Sequence, residues 1–66
     1  KNLNLSEIRK KNKLRQVDLV RLLQLQGMDI TREALVKIET GSQHIKATQL
    51  RSIRDALQTT YDELLK

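Results

Sequence analysis

The chain has 66 residues, enough for one domain (residues 1–66), and its lack of Cys excludes disulfides, thiol catalysis and zinc–thiolate sites. Its net charge of +5 lies before residue 16, because residues 1–15 hold six basic residues and one acidic residue whereas residues 16–66 hold seven of each. This excess of positive charge favours a polyanionic partner, and a solvated basic helix end is the alternative. The absence of a long apolar run predicts that the chain has no membrane segment.

The first predicted helix runs from about Leu5 to Lys13. Asn4 is suited to cap it, and Glu7 three residues later completes the pattern of a capping box. Leu5 and Ile8 lie three residues apart, so they share one face and are expected to be buried. Basic residues crowd the second half of this helix, where positive charge suits the helix dipole.

The second predicted helix, at about residues 16–26, holds more Val and Leu than one buried stripe accommodates. Leu22 and Leu25 are the excess. We expect one additional helical turn, with Met28 and Ile30 covering this apolar side. The alternative is an apolar surface that binds a partner.

The third predicted helix spans about residues 32–40. Thr31 is suited to cap it, because its hydroxyl can accept from a free N–H group of the first turn. Gly41 ends it, since Gly readily adopts the left-handed conformation that closes a helix. Leu35 and Ile38 lie three residues apart and are expected to face the core.

The outer face of this third helix carries a ridge of residues at i, i+3, i+4 and i+7 spacing, which are Glu33, Val36, Lys37 and Thr40. Such a ridge on an ordinary surface helix is simply solvated. A polar loop follows Gly41, and its candidate anion-binding residues are Ser42, Gln43, His44 and Lys46. His44 is the only His, so it cannot form a metal-binding pair with another His, and a solvent-exposed loop His is the alternative to a phosphate contact.

Two further helices complete the prediction. Thr48 is suited to cap a fourth helix at about residues 49–58, and Thr60 with Glu63 forms a capping box at the start of a short fifth helix. The expected core residues recur at helical spacing along the chain. They are Ile8, Leu14, Leu19, Val20, Leu23, Ile30, Leu35, Ile38, Leu50, Ile53, Leu57 and Leu64.

Four fragments of the chain, in order, are similar to one family. They are I8-R9, L14-x-Q16-x-x-L19, I30-T31-x-x-x-L35-x-x-I38-E39-x-G41 and A56-L57-x-x-T60-x-D62-E63-L64-L65. Over nearly its whole length the chain resembles the helix-turn-helix DNA-binding domains of the Cro and phage-repressor type, also called the XRE family. The resemblance implies an all-α fold, namely a compact, lambda-repressor-like bundle of about five helices with the helix-turn-helix at about residues 16–40.

The resemblance also implies which residues contact double-stranded DNA. The third helix is expected to enter the major groove, where base edges meet Arg32, Glu33, Val36, Lys37 and Thr40. Phosphates are expected to meet the starts of the second and third helices and the polar loop. The residues concerned are Gln16, Thr31, Ser42, Gln43, His44 and Lys46.

Two structural expectations follow from matching positions in similar domains. Arg9 and Glu39 are expected to form an ion pair that holds the third helix against the first. The family usually has Gly at the position of Lys13, so either Lys13 or Asn12 is expected to adopt the closing conformation of the first helix.

The function predicted from the sequence is sequence-specific, non-catalytic DNA binding in a bacterial or phage transcriptional regulator, located in the cytoplasm at the nucleoid. No nucleophile–base pair, metal-ligand cluster or phosphate-cradling glycine loop points to an enzyme, a metal or a cofactor. Two copies are expected on two-fold-related half-sites, with Leu64 or Leu65 as candidates for their contact. The alternative is a protein-interaction module on the same fold, which Glu33 and the neutral charge of residues 16–66 favour. Since the chain begins with Lys rather than Met, a processed product and a fragment of a longer protein are both open.

Overall fold

The structure is a computed structural model that describes residues 3–66, and these residues form five α-helices and no strand. The helices are α1 (Leu5–Lys11), α2 (Gln16–Leu25), α3 (Arg32–Thr40), α4 (Ala47–Leu57) and α5 (Tyr61–Leu64). They pack into a body of 26 × 23 × 20 Å. The all-α bundle of about five helices predicted from the sequence is confirmed. Within residues 3–66, no helix has the length and apolarity that crossing a bilayer requires.

One apolar core receives side chains from all five helices, and Ile30 joins it from the turn between α2 and α3. Of the expected core residues, Leu14 and Leu50 are half-buried at its rim, and the others are buried. Leu5 is fully buried as well. Burying one Leu or Ile side chain contributes about 1.5–3 kcal/mol, so these apolar contacts are the main stabilising force of the bundle.

The start of α1 is joined to α5. The Asn4 backbone N–H donates to the Leu64 carbonyl oxygen at 2.8 Å, and the Asn4 side-chain Nδ2 donates to the Glu63 carbonyl oxygen at 3.4 Å. The Asn4 side chain therefore makes no capping hydrogen bond to α1, and the capping box expected with Glu7 is wrong. A carbonyl group from the far end of the chain competes successfully for this side chain.

The end of α1 lies two residues before the expected Lys13. Asn12 closes the helix, with its Nδ2 donating to the Ile8 carbonyl oxygen at 2.8 Å. Lys13 then adopts φ 58°, in the left-handed region. The Leu14 N–H donates to the Arg9 carbonyl oxygen at 3.1 Å and completes the turn. Of the two options, Asn12 and Lys13, it is thus Lys13 that adopts the left-handed conformation.

The second helix begins as expected but gains no additional turn. Leu25 is its last residue, and Gly27 with φ 87° redirects the chain. Ile30 is buried and Met28 is half-buried, yet Leu25 is 78% exposed. The expectation that the core would cover Leu25 is wrong, because Leu25 follows the buried Leu23 by two positions, about 200° around the helix.

The third helix has the bounds expected from the sequence. The Thr31 Oγ1 accepts from the Ala34 N–H at 3.1 Å, so Thr31 is the N-cap, and Gly41 ends the helix in the left-handed conformation with φ 81°. Leu35 is fully buried and Ile38 is 3% exposed, so the inner face lies in the core as predicted.

The fourth helix begins two residues earlier than expected, at Ala47. Lys46 is its N-cap residue, and the Gln49 Oε1 accepts from the Lys46 N–H at 3.0 Å. Thr48 therefore lies inside the helix rather than at its cap, and its carbonyl oxygen accepts from Ser52 Oγ at 3.2 Å. The earlier start uses Ala47, a strong helix former, as the first helical residue.

The last helix is capped by Thr60, whose Oγ1 accepts from the Glu63 N–H at 3.2 Å. Leu64 is fully buried, so it is unavailable as the contact between copies for which it was a candidate. Leu65 is 56% exposed. Arg54 of α4 lies over the Tyr61 ring at 4.7 Å from its centroid, which joins α4 to α5 on the surface.

Candidate functional site

A buried ion pair holds α3 against α1. The Arg9 Nε donates to the Glu39 Oε2 at 2.7 Å, and the side chains are 9% and 6% exposed. The Arg9 Nη2 donates to the Glu39 Oε1 at 3.4 Å, and its Nη1 donates to the Leu14 carbonyl oxygen at 2.7 Å. These bonds are made because a buried guanidinium must have its donors satisfied. The pair expected from the sequence therefore fixes the back of α3.

Gln16 extends this network to the start of α2. Its Nε2 donates to the Glu39 Oε1 at 3.0 Å, so one carboxylate receives side chains from both α1 and α2. The Gln16 side chain is half-buried and held in place. A primary amide has two N–H donors, so Gln16 keeps a second donor for a ligand after bonding to Glu39.

The ridge predicted on the outer face of α3, here called the α3 ridge, consists of Glu33, Val36, Lys37 and Thr40. Glu33, Lys37 and Thr40 are exposed, and Val36 is half-buried. Arg32, at the start of α3, is exposed as well. Within residues 3–66, neither Arg32 nor any charged member of the ridge takes part in an ion pair. The ridge thus offers a cation, an anion and a methyl-bearing side chain to a partner.

The polar loop continues directly from the α3 ridge. The Ser42 and Gln43 N–H groups donate to the Lys37 carbonyl oxygen at 2.8 and 3.2 Å. The Thr40 Oγ1 donates to the same carbonyl oxygen at 3.2 Å and lies 3.2 Å from the Ser42 Oγ. These bonds tie the first half of the loop to the last turn of α3. His44 is exposed, which agrees with the alternative that it is an ordinary solvent-exposed residue of the loop.

A groove lies where the starts of α2 and α3 meet. It has a volume of about 320 Å³ and is lined by Arg15, Gln16, Val17 and Arg32. Arg15 and Arg32 therefore both lie beside the N-terminus of α2, whose free N–H groups favour anions. Sequence reasoning missed the place of Arg15 beside Arg32, because the two residues are far apart in the chain.

Arg15 is paired with an acid of its own helix. Its Nε and Nη2 each lie 3.0 Å from Asp18 carboxylate oxygens, and its backbone N–H donates to the Asp18 Oδ2 at 2.8 Å. The hydrogen bonds from Arg15 lower the pKa of Asp18 to about 2. The carboxylate thus caps α2 from within, and it partly neutralises the positive charge beside the groove.

The remaining candidate residues are not all gathered at this groove. Lys46 instead lines a second groove, of about 440 Å³, between the α2–α3 turn and the start of α4. Lys10, Lys11 and Lys13 are exposed around the end of α1, and none of the three takes part in an ion pair within residues 3–66. The basic cluster therefore remains available for long-range attraction of a polyanion.

Comparisons of the chain with protein-family models, with curated proteins and with solved structures found no match. The functional argument therefore rests on the geometry of α2, α3 and the loop that follows them.

Proposed function

We propose that the chain is a sequence-specific, non-catalytic double-stranded DNA-binding domain of a bacterial or phage transcriptional regulator. The observation that carries this proposal is the α3 ridge. Its side chains are exposed except for the half-buried Val36, its charged members form no ion pair within residues 3–66, and the opposite face of the helix is buried. The Arg9–Glu39 pair holds that helix from behind. A helix with its side chains is about 10–12 Å wide, which matches the major groove of B-form DNA at about 12 Å.

The side chains of the ridge suit base edges. Lys37 and Arg32 can donate to guanine O6 and N7, and Glu33 can accept from cytosine N4. Val36 can contact a thymine methyl group. Because Glu33 also repels phosphates, it disfavours DNA to which the ridge is not matched.

Phosphate contacts are proposed on both sides of the ridge. Gln16 and Arg15 lie at the start of α2, and Thr31 and Arg32 lie at the start of α3, where helix N-termini favour anions. The exposed loop residues Ser42, Gln43, His44 and Lys46 follow the other end of α3. Such contacts fix the position of a domain on the duplex but carry no sequence information themselves.

Two copies of the domain are proposed to bind related half-sites, about one helical turn or roughly 34 Å apart. We place this activity in the cytoplasm, at the nucleoid. The competing function is a protein-interaction module on the same fold. The high exposure of Leu25 and the neutral charge of residues 16–66 favour it.

Selection from a random duplex library, followed by titration of the selected and random duplexes at several salt concentrations, tests the proposal. Lys37→Ala should weaken binding to the selected duplex by about 1–3 kcal/mol, the value of one good base contact, and should affect random DNA far less. The matched control is Lys66→Ala, which removes the same charge away from α3.

Lys46→Ala should weaken both duplexes similarly and reduce the slope of the salt dependence by about one phosphate contact. Weak, steeply salt-dependent binding that is equal for both duplexes and unaltered by Lys37→Ala would contradict the proposal. It would identify the basic cluster at the end of α1 as a general polyanion attractant and would favour the interaction module.

A further inference from the structure

An ion pair at the start of α2 engages one of the two arginines that line the groove between α2 and α3. The Arg15 Nε and Nη2 each lie 3.0 Å from an oxygen of the Asp18 carboxylate. Arg32, which lines the same groove, takes part in no ion pair within residues 3–66. The two arginines are therefore not equivalent towards an anion, because only Arg15 already has a carboxylate partner.

The Arg15–Asp18 pair is accessible to water and therefore open to exchange. The Arg15 side chain is 77% exposed and the Asp18 side chain is 24% exposed. An exposed pair of this kind is only weakly favourable, because solvent screens the attraction. Phosphate oxygens accept from the planar donors of a guanidinium as carboxylate oxygens do, so a phosphate can replace the carboxylate. Asp18 is thus a competitor of any phosphate that approaches Arg15.

Asp18 stays charged and in place while it competes. The hydrogen bonds from Arg15 lower the pKa of Asp18 to about 2, so its carboxylate is ionised at neutral pH. Its Oδ2 also accepts from the Arg15 backbone N–H at 2.8 Å, which fixes the carboxylate at the first turn of α2. A phosphate that takes the Arg15 side chain must therefore displace a permanent anion that remains nearby.

We propose that Asp18 competes with the DNA backbone for Arg15 and thereby lowers the affinity of the domain for all DNA sequences. This inference rests on the function proposed above, in which phosphates meet the start of α2. A phosphate contact carries no sequence information, so the attenuation is the same for selected and random duplexes. Asp18 differs in this respect from Glu33, which lies in the α3 ridge and disfavours only DNA to which the ridge is not matched. Asp18 thus offsets part of the affinity for random DNA that the basic residues before α2 provide.

Titration of the selected and random duplexes with Asp18→Asn, at several salt concentrations, tests this competition. The amide keeps an oxygen that can accept from the Arg15 backbone N–H, but it carries no charge. Asp18→Asn should raise the affinity for both duplexes about three- to tenfold at low salt, because Arg15 becomes free for a phosphate. The slope of the salt dependence should increase by about one phosphate contact, and the ratio of the two affinities should stay the same.

The matched control is Asp55→Asn, which disrupts the other Arg–Asp pair of residues 3–66. The Asp55 Oδ1 lies 2.9 Å from the Arg54 Nη2 on α4, and neither residue lines the groove between α2 and α3. This variant changes the net charge equally and also releases an arginine, so it should alter the affinity less than about twofold.

A double variant separates competition for Arg15 from a change of net charge. In a chain that already carries Arg15→Ala, no guanidinium remains for Asp18→Asn to release. The gain in affinity should then be smaller, and the slope of the salt dependence should not change. Circular dichroism melting verifies that each variant is folded, and Asp18→Ser, which also removes the carboxylate, replaces Asp18→Asn if that variant is unfolded.

Two results overturn the proposal while the proposed function stands. One is an equal gain in affinity and slope from Asp18→Asn with and without Arg15, and the other is the same gain from Asp55→Asn. A wild-type domain that does not prefer the selected duplex overturns the proposed function, and this inference with it.

Discussion

Arg9 and Glu39 lie 30 positions apart in the sequence, yet their side chains meet with Nε and Oε2 only 2.7 Å apart. The pair joins the first helix to the helix whose outer face is proposed to read DNA. Gln16 donates to the same carboxylate, so three helices share one hydrogen-bonded centre. The back of α3 is therefore anchored to both α1 and α2.

Glu39→Gln should destabilise the domain by several kcal/mol, on the order of 3, because it leaves the Arg9 charge buried without a countercharge. Urea denaturation followed by circular dichroism measures the loss. Glu33→Gln makes the same chemical change on an exposed side chain and should alter the free energy of unfolding by no more than about 0.5 kcal/mol. Equal midpoints for Glu39→Gln and wild type would show that the pair contributes nothing to stability.

Lys13→Gly should stabilise the domain by about 1 kcal/mol relative to Lys13→Ala, because Lys13 has φ 58° and a left-handed conformation strains any residue with a Cβ. Comparing Gly with Ala at the same position cancels the loss of the charge. The same comparison at Lys10, which lies inside α1, should give the opposite result. There Lys10→Gly should be less stable than Lys10→Ala by about 0.5–1 kcal/mol. Thermal denaturation of the four variants measures both differences, and the same sign at both positions would contradict the conformation of Lys13.

Asp18 should titrate with a pKa of about 2 in an NMR pH titration of its carboxyl carbon, because Arg15 donates hydrogen bonds to the charged form. In the unfolded chain an Asp has a pKa of about 3.9. The folded pKa is the lower one, so the contribution of Asp18 to stability is complete above about pH 4 and is lost as the pH falls toward 2.

Arg15→Ala should raise the Asp18 pKa toward its usual range. The backbone N–H of residue 15 still donates to Asp18 in that variant, so the return should be incomplete. Arg21→Ala is the control. Arg21 lowers the same pKa only through space and to a smaller extent, so the shift should be smaller. A larger shift for Arg21→Ala would contradict the Arg15–Asp18 hydrogen bonds.

Glu33→Gln should strengthen binding to random DNA, because it removes a negative charge from a surface proposed to face phosphates. Binding to the selected duplex should gain less, or weaken, if Glu33 accepts from a cytosine. Titration of both duplexes at one salt concentration measures the ratio of the two affinities. Glu63→Gln changes the net charge equally on α5 and provides the control. An equal gain for both Gln variants would mean that only net charge matters.

Local sequence patterns predicted the part of the fold that local physics controls. The bounds of α3 follow from the Thr31 cap and from Gly41, both of which act within one turn of the helix. The burial of Leu35 and Ile38 follows from helical spacing alone. The left-handed Lys13 was one of two options, and only the structure distinguishes it from Asn12.

Tertiary contacts decided the features that the sequence did not predict. The side chain of Asn4 is suited to capping, but a carbonyl group of α5 is brought within its reach by folding. The groove between Arg15 and Arg32 joins two helix starts that no local pattern connects. The exposure of Leu25, in contrast, has a local cause, since Leu25 lies about 200° around α2 from the buried Leu23, and the apolar composition of the helix does not convey this angle.

The hydrogen bond from the Asn4 N–H to the Leu64 carbonyl oxygen brings the two ends of the described chain side by side. A domain whose N- and C-terminal residues are adjacent can be inserted into a surface loop of a host protein without distortion of its fold, because both linkers attach at the same side of the domain. The same geometry permits circular permutation, with residues 3 and 66 joined by a short linker and new ends opened in the exposed turn at Gly27. The domain is therefore suited to insertion into other proteins as a folded unit.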